Sequence, residues 1–467
     1  MVICDKIIIG DCMKKNDILT LNIEKTSSDG RGIGYVDGKI CFVLGTLEGE
    51  TVEAKIYTVH NSYLTAGATK IITPSPKRQY DYCDASGVCG GCPLSHIKYE
   101  HQLSIKRTHV VDTLSRIGGI KDADSLVTDT LGMEYPFNYR NKMVFPISEK
   151  NGKVVGGFYA PKSHEVVGLN SCCVGEPCAA CVLSCVVDFM NENNVMPYDE
   201  KKHKGTIRRV FVRTGFNNRE AMVVISSASE KIKNLALLTE KIKKLYFGVY
   251  KLKSIILNIN KNKNNLVLGD KNITLWGKDA ISDSILGLYF SISPHSFYQV
   301  NPVQTETLYM KALELAAIDK TKTVLDVYCG IGTISLCAAA SAKKVIGVEI
   351  VDAAIRDAEQ NADRNNIKNA EFFCGAAEDV VPTLLGQDIK PDVVILDPPR
   401  KGSDEKTLSA IVNASPERIV YVSCNPATLA RDVKFLEENG YKLKSATPVD
   451  MFPNTEHVEC CVLLYRE

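Results

Sequence analysis

The sequence lacks the features that mark membrane-spanning and secreted proteins. It contains no uninterrupted apolar stretch of roughly eighteen residues, the length that a membrane-spanning helix needs. Its first residues read MVICDKIIIGDCMKKND, where charged residues interrupt a short apolar patch and the order of a secretory signal is missing. We therefore expect a cytoplasmic protein that has no membrane partner.

A large net charge is also missing. The 56 Lys and Arg residues nearly balance the 55 Asp and Glu residues, and the formal charge of +1 excludes a charged disordered tail and a uniformly basic coat. The total hides an asymmetry, because residues 201–272 hold 17 basic and 4 acidic residues, whereas residues 321–467 hold 16 and 22. This asymmetry predicts that the middle of the chain binds a polyanion and the end performs chemistry. An ordinary solvated lysine face has the same composition.

Cysteine, in contrast, is abundant. An odd total of 17 cannot pair completely, and a reducing compartment does not maintain disulfides. Cys83, Cys89 and Cys92 are separated by five and two residues in a loop that holds three glycines, a spacing typical of a metal centre with a further ligand elsewhere. Cys178, Cys181 and Cys185 follow one face of a helical pattern, so we expect them to pack in a core.

The pattern of apolar residues predicts an α/β protein with three domains. Residues 12–73 contain five short β-rich stretches separated by turn signals, which indicates a small β-barrel of a kind that often binds oligonucleotides. Residues 77–290 are mixed α+β and contain the cysteine loop. Residues 291–467 alternate strands and helices, which predicts a doubly wound parallel sheet that binds its ligand at the carboxyl ends of the strands. The expected strands there are Thr323 to Tyr328, Val345 to Glu349, Val393 to Leu396 and Ile419 to Ser423.

Polar residues follow these expected strands. Gly330 and Gly332 allow the backbone to approach a ligand after the first strand, although a dinucleotide fingerprint has glycine where this chain has Ser335. Glu349 ends the second strand, where a carboxylate can accept hydrogen bonds from ribose hydroxyls. Asp397 ends the third strand and is followed by two prolines and an arginine. These residues indicate a nucleotide-like ligand.

Two further residues point to covalent chemistry. Cys424 follows the fourth strand, at the edge where a reaction would occur, and Pro426 prevents the strand from continuing. Glu459 lies within the apolar run Val458 to Val462, where a carboxylate is costly unless it is functional or paired. A buried packing role is the ordinary alternative for a single cysteine.

Taken together, these residues resemble the RNA 5-methyluridine methyltransferases, class I enzymes that use S-adenosylmethionine and often carry an N-terminal TRAM domain. The resemblance covers almost the whole chain and rests on five motifs. They are Phe297 to Asn301, Asp326 to Thr333, Asp397 to Gly402, Ser423 to Pro426 and His457 to Glu459. It implies that Cys424 is the nucleophile and Glu459 the proton-abstracting base. It also implies S-adenosylmethionine-binding residues, namely Gln299, Tyr328, Glu349 and Asp397.

The resemblance further implies a 4Fe–4S iron–sulfur cluster. Cys83, Cys89, Cys92 and Cys172 would hold it, with Cys173 as an alternative to Cys172 and zinc as the alternative metal. The implied partner is RNA, with 23S ribosomal RNA preferred and transfer RNA second, and no obligate protein partner is implied. The stretch YPFNYRNK, residues 135–142, interleaves aromatic and cationic residues and could contact that RNA, or could be an ordinary strand start.

Two other functions are open from sequence. A catalytically silent RNA-binding factor could share this fold, but the joint presence of Cys424 and Glu459 argues against it. A dinucleotide oxidoreductase could use Gly330 and Gly332, but Ser335 and the Asp-Pro-Pro strand end argue against that.

Overall fold

A computed structural model describes residues 13–80, 83–264 and 266–467. Residue 12, the expected start of the barrel, lies outside the described residues. The described chain divides into two compact units. The first comprises residues up to 80 together with Cys92–Ile105 and Asn454–Glu456, and the second comprises residues 83–91, Lys106–Pro453 and His457–Glu467. The division into three domains stays a prediction.

The first unit contains a small β-barrel of six strands in the order β1-β5-β6-β4-β3-β2. Apolar side chains at alternate positions, such as Leu21, Cys41, Val43, Val52 and Leu64, form its core. This alternation is the pattern of a strand with one buried face, and it was visible as short β-rich stretches in the sequence. The strands are β1 (Ile18–Asn22), β2 (Lys25–Thr26), β3 (Gly32–Val36), β4 (Lys39–Leu44), β5 (Thr51–Val59) and β6 (Tyr63–Thr73).

A buried carboxylate anchors the end of this barrel. Glu50 accepts hydrogen bonds from the backbone N–H groups of Leu47 and Ser75, at 3.0 and 3.3 Å. The guanidinium of Arg78 donates to both of its oxygens, at 2.5 and 2.8 Å. The charge of Glu50 is therefore fully partnered.

The central part of the second unit is built on a seven-stranded sheet of order β13-β12-β11-β10-β7-β8-β9, in which only the β11–β12 pair is parallel. Helices α3 and α4 contribute to one hydrophobic cluster with this sheet. Its strands are β7 (Lys142–Lys150), β8 (Lys153–Tyr159), β9 (Val166–Gly168), β10 (Ile207–Gly215), β11 (Glu220–Ser227), β12 (Lys251–Ile259) and β13 (Lys271–Gly277). The helices along this part of the chain are α1 (Tyr99–Arg116), α2 (Ala123–Leu126), α3 (Pro177–Asn193) and α4 (Leu235–Lys243).

The C-terminal part of the second unit is the expected doubly wound sheet, with the class I methyltransferase order β18-β17-β16-β19-β20-β22-β21. Its strands run parallel except β22, which is antiparallel to both neighbours. The elements are β14 (Ile281–Ile285), β15 (Leu288–Ile292), α5 (Pro302–Ala316), β16 (Thr323–Val327), α6 (Thr333–Ala339), β17 (Lys344–Glu349), α7 (Asp352–Arg364), β18 (Ala370–Cys374), α8 (Ala377–Gly386), β19 (Val393–Leu396), α9 (Glu405–Ala414), β20 (Arg418–Ser423), α10 (Pro426–Glu438), β21 (Tyr441–Val449) and β22 (Glu459–Arg466). The prediction of an α/β chain with this terminal domain and an N-terminal barrel is confirmed.

One packing prediction is wrong in part. Cys178 is buried in the core of the central part, but Cys181 is exposed and Cys185 is half-buried. The buried face of α3 is formed instead by Cys178, Ala179, Val182, Leu183, Val186, Phe189 and Met190. Among the described residues, no helix is long and apolar enough to span a membrane.

Candidate active site

A cavity of about 1180 Å³ lies in the second unit, where β16, β17, β19 and β20 end. The structure brings all six residues expected for cofactor binding and catalysis to its wall. They are Gln299, Tyr328, Glu349, Asp397, Cys424 and Glu459. Because the carboxyl ends of parallel strands share one edge of the sheet, residues as far apart in sequence as Tyr328 and Cys424 meet here.

The turn between β16 and α6 forms one side of the cavity. Tyr328, Gly330 and Gly332 have left-handed φ values of 68°, 54° and 80°. A Cβ atom on Gly332 would lie 3.1 Å from the ring of Phe372, so the helix packs closely only because glycine is there. A Cβ atom on Gly330 would meet no atom of the described residues within 4 Å, which leaves open space for a ligand against this backbone.

Glu349 is held at the end of β17 by backbone donors. Its two carboxylate oxygens accept hydrogen bonds from Gly330 N at 3.3 Å and Val351 N at 2.9 Å. These bonds fix the carboxylate beside the glycine turn, where its remaining acceptor positions face the cavity.

Asp326, the last but one residue of β16, is the deepest carboxylate of the site. Ser335 donates a hydrogen bond of 2.5 Å to its Oδ2 atom, whereas Oδ1 has no partner within the described part of the chain. Burial raises the pKa of Asp326 to about 7. Sequence reasoning treated Ser335 only as a missing glycine, whereas the structure shows that it holds Asp326.

Hydrogen bonds to Asp432 hold the segment that follows β19. Asp397 lies at its start, and burial raises the pKa of this carboxyl to about 7. Asp432 accepts hydrogen bonds from Ser403 N at 2.8 Å and from the hydroxyl of Tyr421 at 2.6 Å. A Cβ atom on Gly402 would lie 2.7 Å from the same Asp432 carboxylate, so the turn requires glycine. The rigid segment keeps Asp397 in place.

Strand pairing places Cys424 beside Glu459. Ser423 of β20 pairs with Cys460 of the antiparallel strand β22, so the residues that flank this pair, Cys424 and Glu459, emerge together at the cavity. Burial, the carboxylate of Asp397 and, in the opposite direction, Arg400 together raise the pKa of Glu459 to about 8. The pKa of Cys424 is raised to about 11, first by burial and then by Glu459 and Asp397.

Cations line the other side of the cavity. Lys142 is the first residue of β7, and Arg140, two residues earlier, forms an isolated β-bridge with Gly175. Both residues line the cavity. Burial, followed by the charges of Arg213 and Arg140, lowers the pKa of Lys142 to about 8. The sequence indicated these two residues as RNA contacts but could not place them at the cavity. Arg400 also lines it, and its only signal in the sequence is its position after Asp-Pro-Pro.

The structure brings together some of the expected metal ligands. Burial and the neighbouring Cys173 thiol raise the pKa values of Cys83 and Cys89, and Cys83 and Cys173 form a side-chain hydrogen bond. Burial raises the pKa of Cys172 to about 11, although Cys172 accepts backbone hydrogen bonds from residues 174 and 175. Both Cys172 and Cys173 line a second cavity of about 700 Å³ together with Cys83. Within residues 13–80, 83–264 and 266–467, no group of three or more His, Cys, Asp or Glu side chains is arranged to hold a metal ion.

Comparison with protein families gives two matches. A family model described as tRNA (Uracil-5-)-methyltransferase matches residues 286–467, which contain most of the cavity wall. A TRAM domain model matches residues 14–69, which form the barrel.

Whole-chain relatives agree with these matches. The chain is 46% identical to an RNA methyltransferase of Clostridium tetani over 97% of each chain, and 43% identical to one of Listeria monocytogenes over 97% of this chain and 98% of the relative. It is also similar to a solved structure, the tRNA (uracil-54, C5)-methyltransferase of Pyrococcus abyssi in complex with S-adenosyl-L-homocysteine. That similarity has a TM-score of 0.74 and 27% identity, and covers 96% of this chain and 100% of the other.

Proposed function

Because the chain belongs to the S-adenosylmethionine-dependent RNA (uracil-5-)-methyltransferases, we propose that it methylates C5 of a uridine in structured RNA through a covalent adduct with Cys424. The observation that carries this proposal is the pairing of Ser423 with Cys460, which sets a thiol and a carboxyl side by side at one cavity. A silent RNA-binding protein has no use for a cysteine and a glutamate in this arrangement.

The cavity fits S-adenosylmethionine, which supplies an electrophilic methyl group when bound. The glycine turn leaves open space against its backbone, and Glu349 offers acceptors for ribose hydroxyls. The unpartnered oxygen of Asp326 would accept a hydrogen bond from a positively charged ligand group. Gln299, Tyr328, Glu349 and Asp397 are the proposed binding residues, and all four line this cavity.

The chain's own residues can perform the rest of the reaction. The Cys424 thiolate adds to C6 of uracil, and the electron pair of the C5–C6 double bond makes C5 nucleophilic. After C5 has formed its bond to the methyl group, the Glu459 carboxylate removes the C5 proton, the double bond forms again, and the C6–S bond breaks. The pKa values of Cys424 and Glu459 are both raised overall, and the positive charge of Arg400 opposes this rise. Arg400 therefore favours the charged forms of both groups.

The proposal is tested by replacing Glu459 with Gln. This variant retains Cys424 and should add to C6 and acquire the methyl group, but proton removal fails and elimination cannot follow. We expect a slowly migrating protein–RNA band on a denaturing gel, labelled from the methyl group of S-adenosylmethionine. Turnover of Glu459→Gln near the wild-type rate would rule out the base role.

Two matched variants control this experiment. Cys424→Ala should bind RNA, because phosphate contacts supply most of the affinity, but should lose methyl transfer by at least about a thousandfold and give no band in combination with Glu459→Gln. Glu456→Gln makes the same chemical change three residues earlier and should turn over normally. A labelled band from the double variant would show that another nucleophile acts.

The RNA target is part of the proposal. Large-subunit (23S) ribosomal RNA is the first candidate, because the resemblance joins the cysteine loop to an N-terminal barrel, and transfer RNA is the second. The similarity to the Pyrococcus abyssi enzyme favours the second. Mapping 5-methyluridine in both RNAs from a deletion strain and its parent decides between them, since only the true target loses the modification.

We also propose that Cys83, Cys89, Cys92 and Cys172 bind a 4Fe–4S cluster. Soft thiolates are suitable ligands for iron or zinc, and the Cys83–Cys173 contact shows that the loop approaches the 172–173 pair. Protein purified without oxygen should be brown and contain about four irons per chain. Stoichiometric zinc without iron would reject the cluster.

Single substitutions identify the fourth ligand. If Cys172 is the fourth ligand, Cys172→Ser should lose iron and Cys173→Ser should retain it. If Cys173 is the fourth ligand, the two variants should behave the other way round. Cys374→Ser is the matched control, because Cys374 is exposed and lies outside the cysteine loop, and should retain full iron content.

A further inference from the structure

The central sheet ends in an exposed edge strand that carries the only tryptophan of the chain. Among the residues that the structure describes, strand β13 pairs with β12 alone, and Trp276 near its end is 36% exposed. The Nζ atom of Lys243, the last residue of α4, lies 5.8 Å from the centroid of the indole ring. The ammonium therefore lies over one face of a partly exposed indole ring, and a nucleobase that displaced it could stack on that face.

More lysines surround this ring. Trp276 pairs with Ile255 of β12, and Lys278 N donates a hydrogen bond of 2.9 Å to the carbonyl oxygen of Lys253. Lys253 and Lys278 therefore leave the sheet at adjacent points next to Trp276. None of Lys243, Lys253, Trp276 and Lys278 lines the active-site cavity.

The turn after α4 extends the same surface. Its residues Leu245 and Phe247 pack into the hydrophobic cluster of the central part, which holds the turn in place. Tyr246 between them points outward and is 82% exposed. A second aromatic ring is thus held open to solvent only three positions from Lys243 in sequence.

The charge of this region is mainly positive. Residues 241–279, which contain the whole surface, include nine lysines and only two acidic residues, Asp270 and Asp279, so lysine charge dominates. Lys243 pairs with Glu240 at 2.7 Å, but the Glu240 side chain is 57% exposed, so this ion pair is weak and easily exchanged for a phosphate. Lys244, Lys253 and Lys278 have no ion pair within the part of the chain that the structure describes.

We propose that this lysine–tryptophan face binds a single-stranded segment of the substrate RNA outside the target uridine. The face is defined as Lys243, Lys244, Tyr246, Lys253, Trp276 and Lys278. The inference rests on the proposed function for its substrate class. The lysines neutralise phosphates, and Trp276 and Tyr246 stack bases, which would let the protein hold RNA at a second point while one nucleotide occupies the cavity.

Because Trp276 is the only tryptophan, its fluorescence reports directly on this face. Wild-type protein is titrated with short oligoadenylate, which contains no uridine and so cannot supply the methylation target. We expect tryptophan emission to fall as the oligonucleotide binds, and the affinity to weaken steeply with added salt. Binding without any change in emission overturns the proposal, as does the absence of binding.

Substitutions measure the contribution of the face. The affinity of each variant is measured by the anisotropy of a dye-labelled oligoadenylate, because the variants at 276 contain no tryptophan. Lys244→Glu combined with Lys253→Glu should weaken oligoadenylate binding about tenfold or more, and Trp276→Leu about tenfold, whereas Trp276→Phe should retain most of the affinity because it keeps an aromatic ring. Lys261→Glu with Lys263→Glu makes the same charge change in the same segment and should have a much smaller effect. If the double charge reversal does not fold, the Leu and Phe variants at 276 decide alone.

Methyl transfer separates this proposal from the proposed function. The face variants should raise KM for a structured RNA substrate and leave kcat unchanged, because none of their residues lines the cavity. Wild-type protein that binds oligoadenylate with a change in emission but never methylates RNA would overturn the proposed function and leave this inference standing. Face variants with wild-type KM and affinity would overturn this inference and leave the proposed function intact.

Discussion

Glu50 in the first unit and Glu459 in the second are both buried carboxylates, 1% and 4% exposed, but their surroundings are opposite. Glu50 accepts four hydrogen bonds, two of them from the guanidinium of Arg78. Glu459 faces a cavity beside Asp397, and its pKa is raised to about 8, first by burial. A buried charge with a full set of partners therefore serves the fold, whereas a buried charge without them costs stability and is available for chemistry.

The largest expected effect is the loss of stability when Glu50 is replaced. Glu50→Ala leaves Arg78 half-buried without its carboxylate and two backbone donors without an acceptor, so we expect the free energy of unfolding to fall by about 4 kcal/mol. Denaturant unfolding followed by far-ultraviolet circular dichroism measures the loss. Binding of S-adenosylmethionine at the cavity of the second unit should be retained. A change under about 1 kcal/mol would show that the four hydrogen bonds contribute little.

The second effect has the opposite sign. The pKa of Glu459 is higher in the folded protein than in the unfolded chain, so the folded state retains a proton that the unfolded state releases as the pH rises above about 4.5. The contribution of Glu459 to the free energy of unfolding should therefore decrease between about pH 4.5 and pH 8. Glu459→Gln removes this term and should be more stable than wild type by about 2 kcal/mol at pH 8, with no difference near pH 4.

Paired melting curves across this pH range check the prediction. Glu438→Gln is the matched control, since the Glu438 side chain is 64% exposed and should show no gap that depends on pH. If Glu459→Gln is less stable than wild type at pH 8, the carboxylate has a stabilising partner and the comparison fails.

The smallest effect concerns an exposed ion pair close to Glu50 in sequence. Glu48 and Lys77 form an ion pair at 3.8 Å, but their side chains are 52% and 38% exposed. Solvent screens this pair, so Glu48→Ala should change the free energy of unfolding by less than about 0.5 kcal/mol. The same denaturant experiment measures it beside Glu50→Ala, two residues away in sequence. Comparable losses from both variants would mean that burial is not what separates them.

Local patterns in the sequence were enough to predict most of the C-terminal sheet. The apolar runs predicted four strands, and the structure shows each of them within one residue of its expected bounds. The reason is that these elements are buried or amphipathic along their own length, so each carries its own signal. Polar residues after the strands could then be assigned to one edge.

The unpredicted features depend on contacts between distant segments. The hydrogen bond from Ser335 to Asp326 and the approach of Lys142 to the cavity cannot be derived from a single element's periodicity. The burial of Glu50 likewise depends on Arg78, 28 positions further along. The exposure of Cys181 follows from the way α3 lies on its sheet, which spacing alone does not determine.

The register of the antiparallel strand β22 sets the position of Glu459 relative to Cys424. Since Ser423 is aligned with Cys460, a slip of β22 by one residue would move Glu459 along β20 and exchange the faces that every β22 side chain presents. A single added residue inside the strand would separate thiol from carboxyl. The segment before β22 is constrained as well, because Phe452 and His457 line the cavity and Asp450, Met451 and Asn454 are buried. Changes of length on either side of Glu459 are therefore not tolerated.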